Sequence, residues 1–371
     1  MENLSLETEI SEQRVDVSVV LPFYNAHAYL KDAIESILSQ DFDSLELILV
    51  DDGSTDRSLD IAKAFKEKDK RVRIITENNA GPAAARNKGL VRARGKYVVF
   101  LDADDFYEKT LISSLYDIAE KQSLDIAVCE FDLYNVKHAR FEEKVKSDHC
   151  ELLAARRVIS KNEHPDYILQ TTSGYVWNKM FRRDFIFENK LLFKPEIKVF
   201  EDVYFVTAAI ATASRIAKVA DVLIHHRIYS EQSRPKMFKK YFSEVPEVYG
   251  QIKKYLMQRG IYAPISVSFT NLSASRCYHV YNILWKDAKE VFWNLLHEGY
   301  AEELGWDATA PEEIEKPSIR SFVAAVSLYT YKQYSKKHKS VTFIEDTHTD
   351  QKFERRKALK RFCRIFRIGR K

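Results

Sequence analysis

Residues 45–56 read LELILVDDGSTD. A continuous apolar run of this length is typical of a buried strand, and the polar residues that follow it are typical of a tight turn. We predict a strand from Leu45 to Val50, a turn at 51–54, and a helix that Ser54 or Thr55 caps and that continues to about Lys68. This part of the chain therefore encodes one strand, turn and helix unit.

The same alternation of strand and helix extends on both sides of this unit. Upstream, Val17 to Leu21 is a β-branched run stopped by Pro22, and apolar residues recur at helical spacing from Leu30 to Leu38. Downstream, the pattern predicts strands at 72–75, 97–101 and 126–131 and helices at 82–93 and 109–122. Such alternation predicts an α/β fold with a mostly parallel sheet and helices on both faces, which binds its ligands at the carboxyl ends of the strands.

The 371 residues suffice for a large domain and a smaller region. After a weakly patterned segment, Glu201-Asp202 opens an apolar helix, Val222 to Tyr229 is a candidate strand, and most of the chain from 236 to 334 has helical spacing. We therefore divide the chain into an extension (1–15), an α/β domain in two halves (16–132 and 133–230), a mainly helical region (231–335), and a linker with a basic tail (336–371).

Composition excludes several classes of protein. Hydrophobic residues make up 45% of the chain, with only 10 Gly and 9 Pro, which excludes a disordered or collagen-like protein. The four cysteines form no Cys-x-x-Cys pair, so neither a zinc ribbon nor a disulfide scaffold is indicated. No segment has the run of apolar residues that a spanning helix needs, and the first residues do not resemble a signal peptide. We expect a cytoplasmic protein.

The positive charge is concentrated at the end of the chain. Residues 351–371 hold 10 Lys/Arg and one acid, which is +9, so the net charge of +4 leaves the rest of the chain at −5. This distribution argues against a nucleic-acid-binding domain. Leu359, Phe362, Cys363 and Phe366 lie on one helical face among basic residues, a pattern that predicts contact with an anionic membrane surface. A solvated tail or a nucleic-acid contact is the alternative.

Three short segments could carry chemistry. Asp102-Ala103-Asp104 places two carboxylates on one side of an extended chain, which suits Mg²⁺ or Mn²⁺, although acids after a strand also cap helices. Asp51-Asp52-Gly53-Ser54 is either an ordinary turn or a place where a carboxylate accepts a hydrogen bond from a pyrimidine base. Arg86, near the start of a helix, is either an exposed arginine or a ligand contact. The phosphate-binding loops of P-loop and dinucleotide-binding proteins are absent from the sequence.

Four sequence blocks, taken together and in order, are a much more specific signal than any of these segments alone. Residues 17–25, 50–56, 81–89 and 101–105 read VSVVLPFYN, VDDGSTD, GPAAARNKG and LDADD. This series resembles the family 2 glycosyltransferases of GT-A fold, over about residues 15–230, and in particular bacterial members that make surface polysaccharides or glycoconjugates. The resemblance implies a nucleotide-diphosphate sugar donor, usually a UDP-sugar, a divalent metal (Mn²⁺ or Mg²⁺), and inversion at the anomeric carbon.

The resemblance also implies roles for individual residues. In the nucleotide-binding half (16–132), Pro22 and Phe23 would line the base pocket and Asp52 would accept a hydrogen bond from uracil. Asn79 and Arg86 would lie close to the base, and Ala103 would belong to the nucleotide site. Asp102 would lie near the ribose and the metal, and Asp104 would be the principal metal ligand.

The acceptor half (133–230) would carry the general base of the reaction. In the pair Glu201-Asp202 the second acid would be the general base, and Glu201 would bind the sugar or the acceptor. Trp177 and Lys179 resemble an acceptor-side Trp-x-Lys element. His225 or His226, with Arg227, could bind metal or diphosphate, and His226 is our choice as a metal ligand. The alternative is a hydrogen-bonded histidine at a strand end. Asp105 could be only a helix cap.

These observations favour an inverting, metal-dependent glycosyltransferase at the cytoplasmic face of the membrane, acting on a glycan, a lipid-linked acceptor or another glycoconjugate. A sugar-1-phosphate nucleotidyltransferase is the alternative enzyme, although it should show a Gly-rich loop near its first strand. A non-catalytic carbohydrate- or nucleic-acid-binding protein is the alternative without chemistry. The presence of four acids, Asp52, Asp102, Asp104 and Asp202, argues against it.

Overall fold

The structure is a computed structural model that describes residues 14–142, 149–228 and 240–337. The strands are β1 Val17–Phe23, β2 Leu45–Asp51, β3 Val72–Thr76, β4 Tyr97–Phe100, β5 Phe106–Tyr107, β6 Ile126–Asn135, β7 Arg140–Glu142, β8 Lys179–Arg182 and β9 Ile216–Ile228. The helices are α1 Leu30–Leu38, α2 Ser58–Lys68, α3 Pro82–Arg92, α4 Leu111–Gln122, α5 Arg183–Glu188, α6 Glu201–Thr212, α7 Val245–Gln258, α8 Ser266–Ile283, α9 Lys286–Leu295, α10 Ala301–Glu303, α11 Pro317–Leu328 and α12 Tyr331–Lys337. The predicted basic tail at 351–371 and nearly all of the extension at 1–15 lie outside the described residues.

The strands form one mixed sheet in the order β3-β2-β1-β4-β8-β6-β9-β5, with β7 paired to β6. The first four strands in this order are mutually parallel, as the alternation of strands and helices predicts. Beyond them, β8 runs antiparallel to both of its neighbours, and β5 is antiparallel to β9. The predicted α/β fold, followed by a helical region, is confirmed, with an antiparallel contribution in its second half.

Two local predictions were wrong. Neither Ser54 nor Thr55 caps a helix, because α2 begins only at Ser58. The Ser54 hydroxyl instead accepts the backbone N–H of Asn25 at 3.1 Å, which ties the turn after β2 to the turn after β1. Strand β9 begins at Ile216, before the predicted Val222, since its first residues pair with β6.

The two faces of the sheet are buried under different helices. Side chains alternate along β1, so Val17, Val19 and Leu21 contact one apolar cluster, which contains α1 and α4, whereas Val20 contacts the other, which contains α3. Helix α3 lies very close to the strands, because a Cβ at Gly89 would collide with the side chain of Val20. This close packing fixes the start of α3 above the carboxyl end of the sheet.

Helix α6 lies between the sheet and the C-terminal helices. Ten of its 12 residues are buried, and the stacked rings of Phe193 and Phe205 are 4.1 Å apart. The apolar cluster on this side continues without interruption into α7, through Val245, Val248 and Tyr249. In the ranges that are described, none of the helices is long and apolar enough to cross a membrane.

Candidate active site

The loops after β1, β2 and β4 meet at one edge of the sheet, as expected for the carboxyl ends of parallel strands. The backbone N–H of Asp52 donates to the carbonyl of Phe23 at 2.9 Å, so the ends of β1 and β2 are joined. Pro22 and Phe23 are buried at this end of β1. The residues predicted to line a nucleotide pocket therefore lie at the correct edge.

Asp52 is buried beneath the loop that leads into α3. Its two carboxylate oxygens accept the backbone N–H groups of Ala80 at 2.7 Å and Gly81 at 3.0 Å. Asn79, on the same loop, is exposed to solvent. Asp52 thus holds the loop that carries Asn79, a supporting role that the sequence alone did not indicate.

Arg86 connects the two halves of the α/β domain. Its guanidinium donates to Asp102 at 2.8 Å and to Glu201 at 3.2 Å, and it lies 5.5 Å from the ring centre of Phe193. Burial acts to lower the pKa of Arg86, but the nearby carboxylates outweigh it and raise that pKa above its ordinary value. The side chain is only 6% exposed, so Arg86 is an internal ion-pair partner and not a surface arginine.

Asp102, Asp104 and Asp105 form an acidic cluster in which one oxygen of each lies within 4.8 Å of the others. Ala103 is buried between them, and the Tyr107 hydroxyl donates to the Asp102 carbonyl at 2.6 Å. Burial and the charges of Asp105 and Asp102 raise the pKa of Asp104 to about 7. Three carboxylates that repel one another in this way are a donor set that fits a hard divalent cation such as Mg²⁺ or Mn²⁺.

The histidines of β9 have different surroundings. His226 lies 3.0 Å from the Asp105 carboxylate through Nδ1, and Asp105 also accepts the backbone N–H of Arg227 at 2.9 Å. Asp105 therefore anchors β9, and the helix-cap alternative is wrong, because the strand β5 follows it. Both ring nitrogens of His225 lie near carboxylates, Asp132 at 2.7 Å and Glu108 at 2.9 Å. This is the arrangement of a structural histidine.

The acidic neighbours of His226 favour its protonated form. Burial lowers the pKa of His226, but the Asp105 carboxylate and its acidic neighbours overcome this effect and raise it to about 9. Among the described residues, the group of side chains close enough to share a metal ion contains Asp102, Asp104 and Asp105 and does not include His226. Metal ligation and diphosphate binding by His226 both stay predictions.

Glu201 and Asp202 occupy the first turn of α6, directly after Phe200, whose φ is +63°. Glu201 is turned toward Arg86, and one Asp202 oxygen accepts the backbone N–H of Val203 at 2.8 Å. Burial and the negative charge of Glu201 raise the pKa of Asp202 to about 7, although Arg86 acts in the opposite direction. A carboxylate of this kind is suited to accept a proton near neutral pH.

Comparison with known proteins agrees with this geometry. A family model described as "Glycosyl transferase family 2" matches residues 18–188. Residues 18–188 form a glycosyltransferase family 2 domain. It is 33% identical over 219 residues to the uncharacterized glycosyltransferase EpsJ of Bacillus subtilis, covering 57% of this chain and 60% of that one. It is 32% identical over 222 residues to the minor teichoic acid biosynthesis protein GgaA of the same species, covering 58% and 48%.

The fold of the chain also matches a solved structure. The crystal structure of S. aureus TarS 1–349 in complex with UDP superposes with a TM-score of 0.64 at 19% identity, covering 90% of this chain and 98% of that one. This likeness shows that the two share the GT-A fold. The match to TarS extends well beyond the residues that the family model covers, so the helical region takes part in the common architecture.

A row of stacked rings leads away from the acidic cluster of this family 2 domain. Trp177 stacks on His226 with ring centres 5.1 Å apart, and Tyr175 stacks on Trp177 at 4.8 Å. Trp177 is 2% exposed and Tyr175 is 43% exposed, so the row opens to solvent at Tyr175. The row therefore connects the acidic cluster, at its buried end, with solvent at Tyr175.

Lys179 is placed differently from its predicted acceptor-side role. It is fully buried, and its ammonium donates to the carbonyls of Ser173 and Tyr175 and to the Asn178 side chain, at 2.8, 2.7 and 2.8 Å. These contacts hold the loop that carries Tyr175 and Trp177. Lys179 therefore stabilises the row of rings from the interior of the protein.

Lys179→Met should destabilise the protein because it leaves three oxygens without the donor that they share. We expect a loss of about 3 kcal/mol or more in the free energy of unfolding, measured in urea. The matched control is Lys63→Met on an exposed position of α2, which should change stability very little. Equal effects of the two substitutions would contradict this role.

Sequence reasoning missed two partners of the site. The guanidinium of Arg276, on α8, lies 5.9 Å from the ring centre of Phe200, beside the Glu201-Asp202 pair. Phe193 lies against Arg86. No local signal marks either residue, because each reaches the family 2 site only through the packing of distant segments.

Proposed function

We propose that this protein transfers a sugar from a nucleotide-diphosphate donor, a UDP-sugar, to a hydroxyl group of a glycan, lipid-linked or glycoconjugate acceptor, with inversion. The observation that carries this proposal is the buried bridge from Asp102 through Arg86 to Glu201, beside Asp202. This bridge links the acidic cluster that would hold the metal to the pair of acids that would carry the base. Structures of TarS with UDP and with UDP-GlcNAc support the choice of donor.

Asp104 and Asp102 would hold the divalent cation, which stabilises the negative charge of the departing diphosphate when it is bound. His226 and Arg227 supply positive charge on the same side, and Arg227 donates to the Asp104 carbonyl at 2.9 Å. Asp202 would remove the proton from the acceptor hydroxyl as that oxygen attacks the anomeric carbon. A single displacement with one base inverts that carbon.

The role of Asp202 predicts a specific pH profile. The base must be ionised, and burial raises its pKa to about 7, so turnover should fall as the pH drops through neutrality. The measurement is kcat against pH at saturating donor and acceptor, with UDP affinity followed in parallel. A profile that stays flat through neutrality would contradict this assignment.

The test of the function itself is a UDP-release assay over a panel of UDP-sugars with Mn²⁺, with and without acceptor alcohols. We expect transfer of a sugar to the acceptor, with the anomeric configuration of the product inverted relative to that of the donor. Absence of UDP binding would overturn the proposal. Formation of pyrophosphate from UTP and a sugar 1-phosphate would instead support the nucleotidyltransferase alternative, which family membership leaves without support.

We also propose that the basic tail at 351–371 holds the protein at the cytoplasmic membrane face. Each basic residue near an anionic surface adds up to about 1 kcal/mol, and salt screens the attraction. Truncation after Asp350 should reduce co-sedimentation with anionic vesicles and leave turnover on a soluble acceptor nearly unchanged. Equal sedimentation of the two forms would show that the tail is not the membrane contact.

A further inference from the structure

Arg276 is a partly buried cation on α8 that faces an aromatic ring. Among the described residues no carboxylate forms a salt bridge with it, and its guanidinium instead faces the ring of Phe200 at 5.9 Å. Phe200 directly precedes the Glu201-Asp202 pair. By contrast, Arg86 has two acidic partners, so its charge is already compensated.

The hydroxyl of Tyr249, on α7, interacts with the Arg276 guanidinium and raises the pKa of Arg276. Tyr249 is fully buried, and within the described ranges its hydroxyl makes no other hydrogen bond. Burial raises the pKa of Tyr249 to about 12, so the hydroxyl keeps its proton. Buried polar groups are normally satisfied, and a hydroxyl beside a guanidinium provides donors for an anion.

The contact of Arg276 with Phe200 places these donors beside the proposed base, Asp202. The charge of Arg276 acts on Tyr175, at the open end of the row of rings, and on Asp202. The acidic cluster and His226 lie at the other, buried end of that row. His279, one turn further along α8, is neutral because burial and Arg276 lower its pKa to about 4.

We propose that Arg276, together with Tyr249, binds an anionic group, a phosphate or a carboxylate, which the acceptor carries close to the hydroxyl that Asp202 deprotonates. This inference rests on the proposed function and names the chemical class of its acceptor. A guanidinium matches the two oxygens of such a group, and charge-assisted hydrogen bonds are stronger than neutral ones. The donor's diphosphate has its own cations at the far end of the row.

The test uses the full chain saturated with UDP and Mg²⁺, so that the donor side is filled. Glycerol 1-phosphate, methyl glucuronide, glycerol and methyl glucoside are titrated separately and followed by ligand NMR. We expect at least one anion to bind more tightly than its neutral counterpart, and Arg276→Gln to weaken that binding by about tenfold or more. Lys254→Gln, which removes an exposed charge from α7, is the matched control and should have no effect.

The outcomes separate the two proposals. Binding of the phosphate alone or of the carboxylate alone identifies the anion. Equal binding of anionic and neutral compounds, or unchanged anion affinity in Arg276→Gln, would overturn the anion site while UDP binding in the same samples still supports the proposed function. Arg276→Lys should restore part of the affinity if charge is what matters. Absence of UDP binding would instead remove the proposed function.

Discussion

Asp202→Asn is expected to abolish most of the turnover while leaving the donor site intact. The amide has the same shape but cannot accept the acceptor's proton, so kcat should fall by about a hundredfold to ten-thousandfold. UDP affinity, measured by calorimetry, should stay within about twofold, which is the pattern of an interaction made only in the transition state.

The matched control for this substitution is Asp60→Asn, which removes an exposed acid from the first turn of another helix, α2. It should leave both turnover and UDP affinity unchanged. If UDP affinity in Asp202→Asn fell together with kcat, Asp202 would be a donor-site or folding residue. Its buried position beside Glu201 and Arg86 would then serve structure alone.

Asp104→Ala is expected to have an effect of similar size through the metal. Loss of the proposed principal ligand should lower turnover by about a thousandfold or more, since a bound cation stabilises the departing charge by several kcal/mol. Metal-dependent binding of UDP should be lost as well, and a chelator should inactivate the wild-type protein. Full wild-type activity in chelator would contradict the metal assignment.

In the absence of metal, Asp104→Ala should stabilise the folded protein. Asp104, Asp102 and Asp105 repel one another at close range, so removal of one carboxylate relieves that repulsion. We expect a higher melting temperature for the metal-free variant than for the metal-free wild type, and a smaller increase in melting temperature on addition of Mn²⁺.

The first half of the fold was predictable because its signals are local. In β1 and β2 an apolar run ends in a polar turn, and the following helix shows its own spacing, so neighbouring residues decide each element. Strand β8 was not predicted, since it has only four residues and begins and ends with Lys179 and Arg182. Its conformation depends on pairing with β4 and β6, which no local pattern shows.

The site was predictable in its residue types and less so in its connections. The acids of the site follow from motifs, but several of their contacts come from far along the chain. Arg86 and Glu201 are 115 residues apart, and Asp105 and His226 are 121 residues apart. Lys179 is an example of a role that the motif did not indicate. The motif suggested a contact with the acceptor, whereas the buried Lys179 side chain holds the loop that carries Tyr175 and Trp177.

The burial of α6 has a consequence for how such enzymes can be recombined. The helix that carries Asp202 has its apolar residues covered by the sheet on one side and by α7 on the other. A helix that is apolar on all sides is stable only when it is enclosed. A chimera that exchanges residues 133–230 must therefore bring its own C-terminal helices, because α6 and those helices share one apolar cluster.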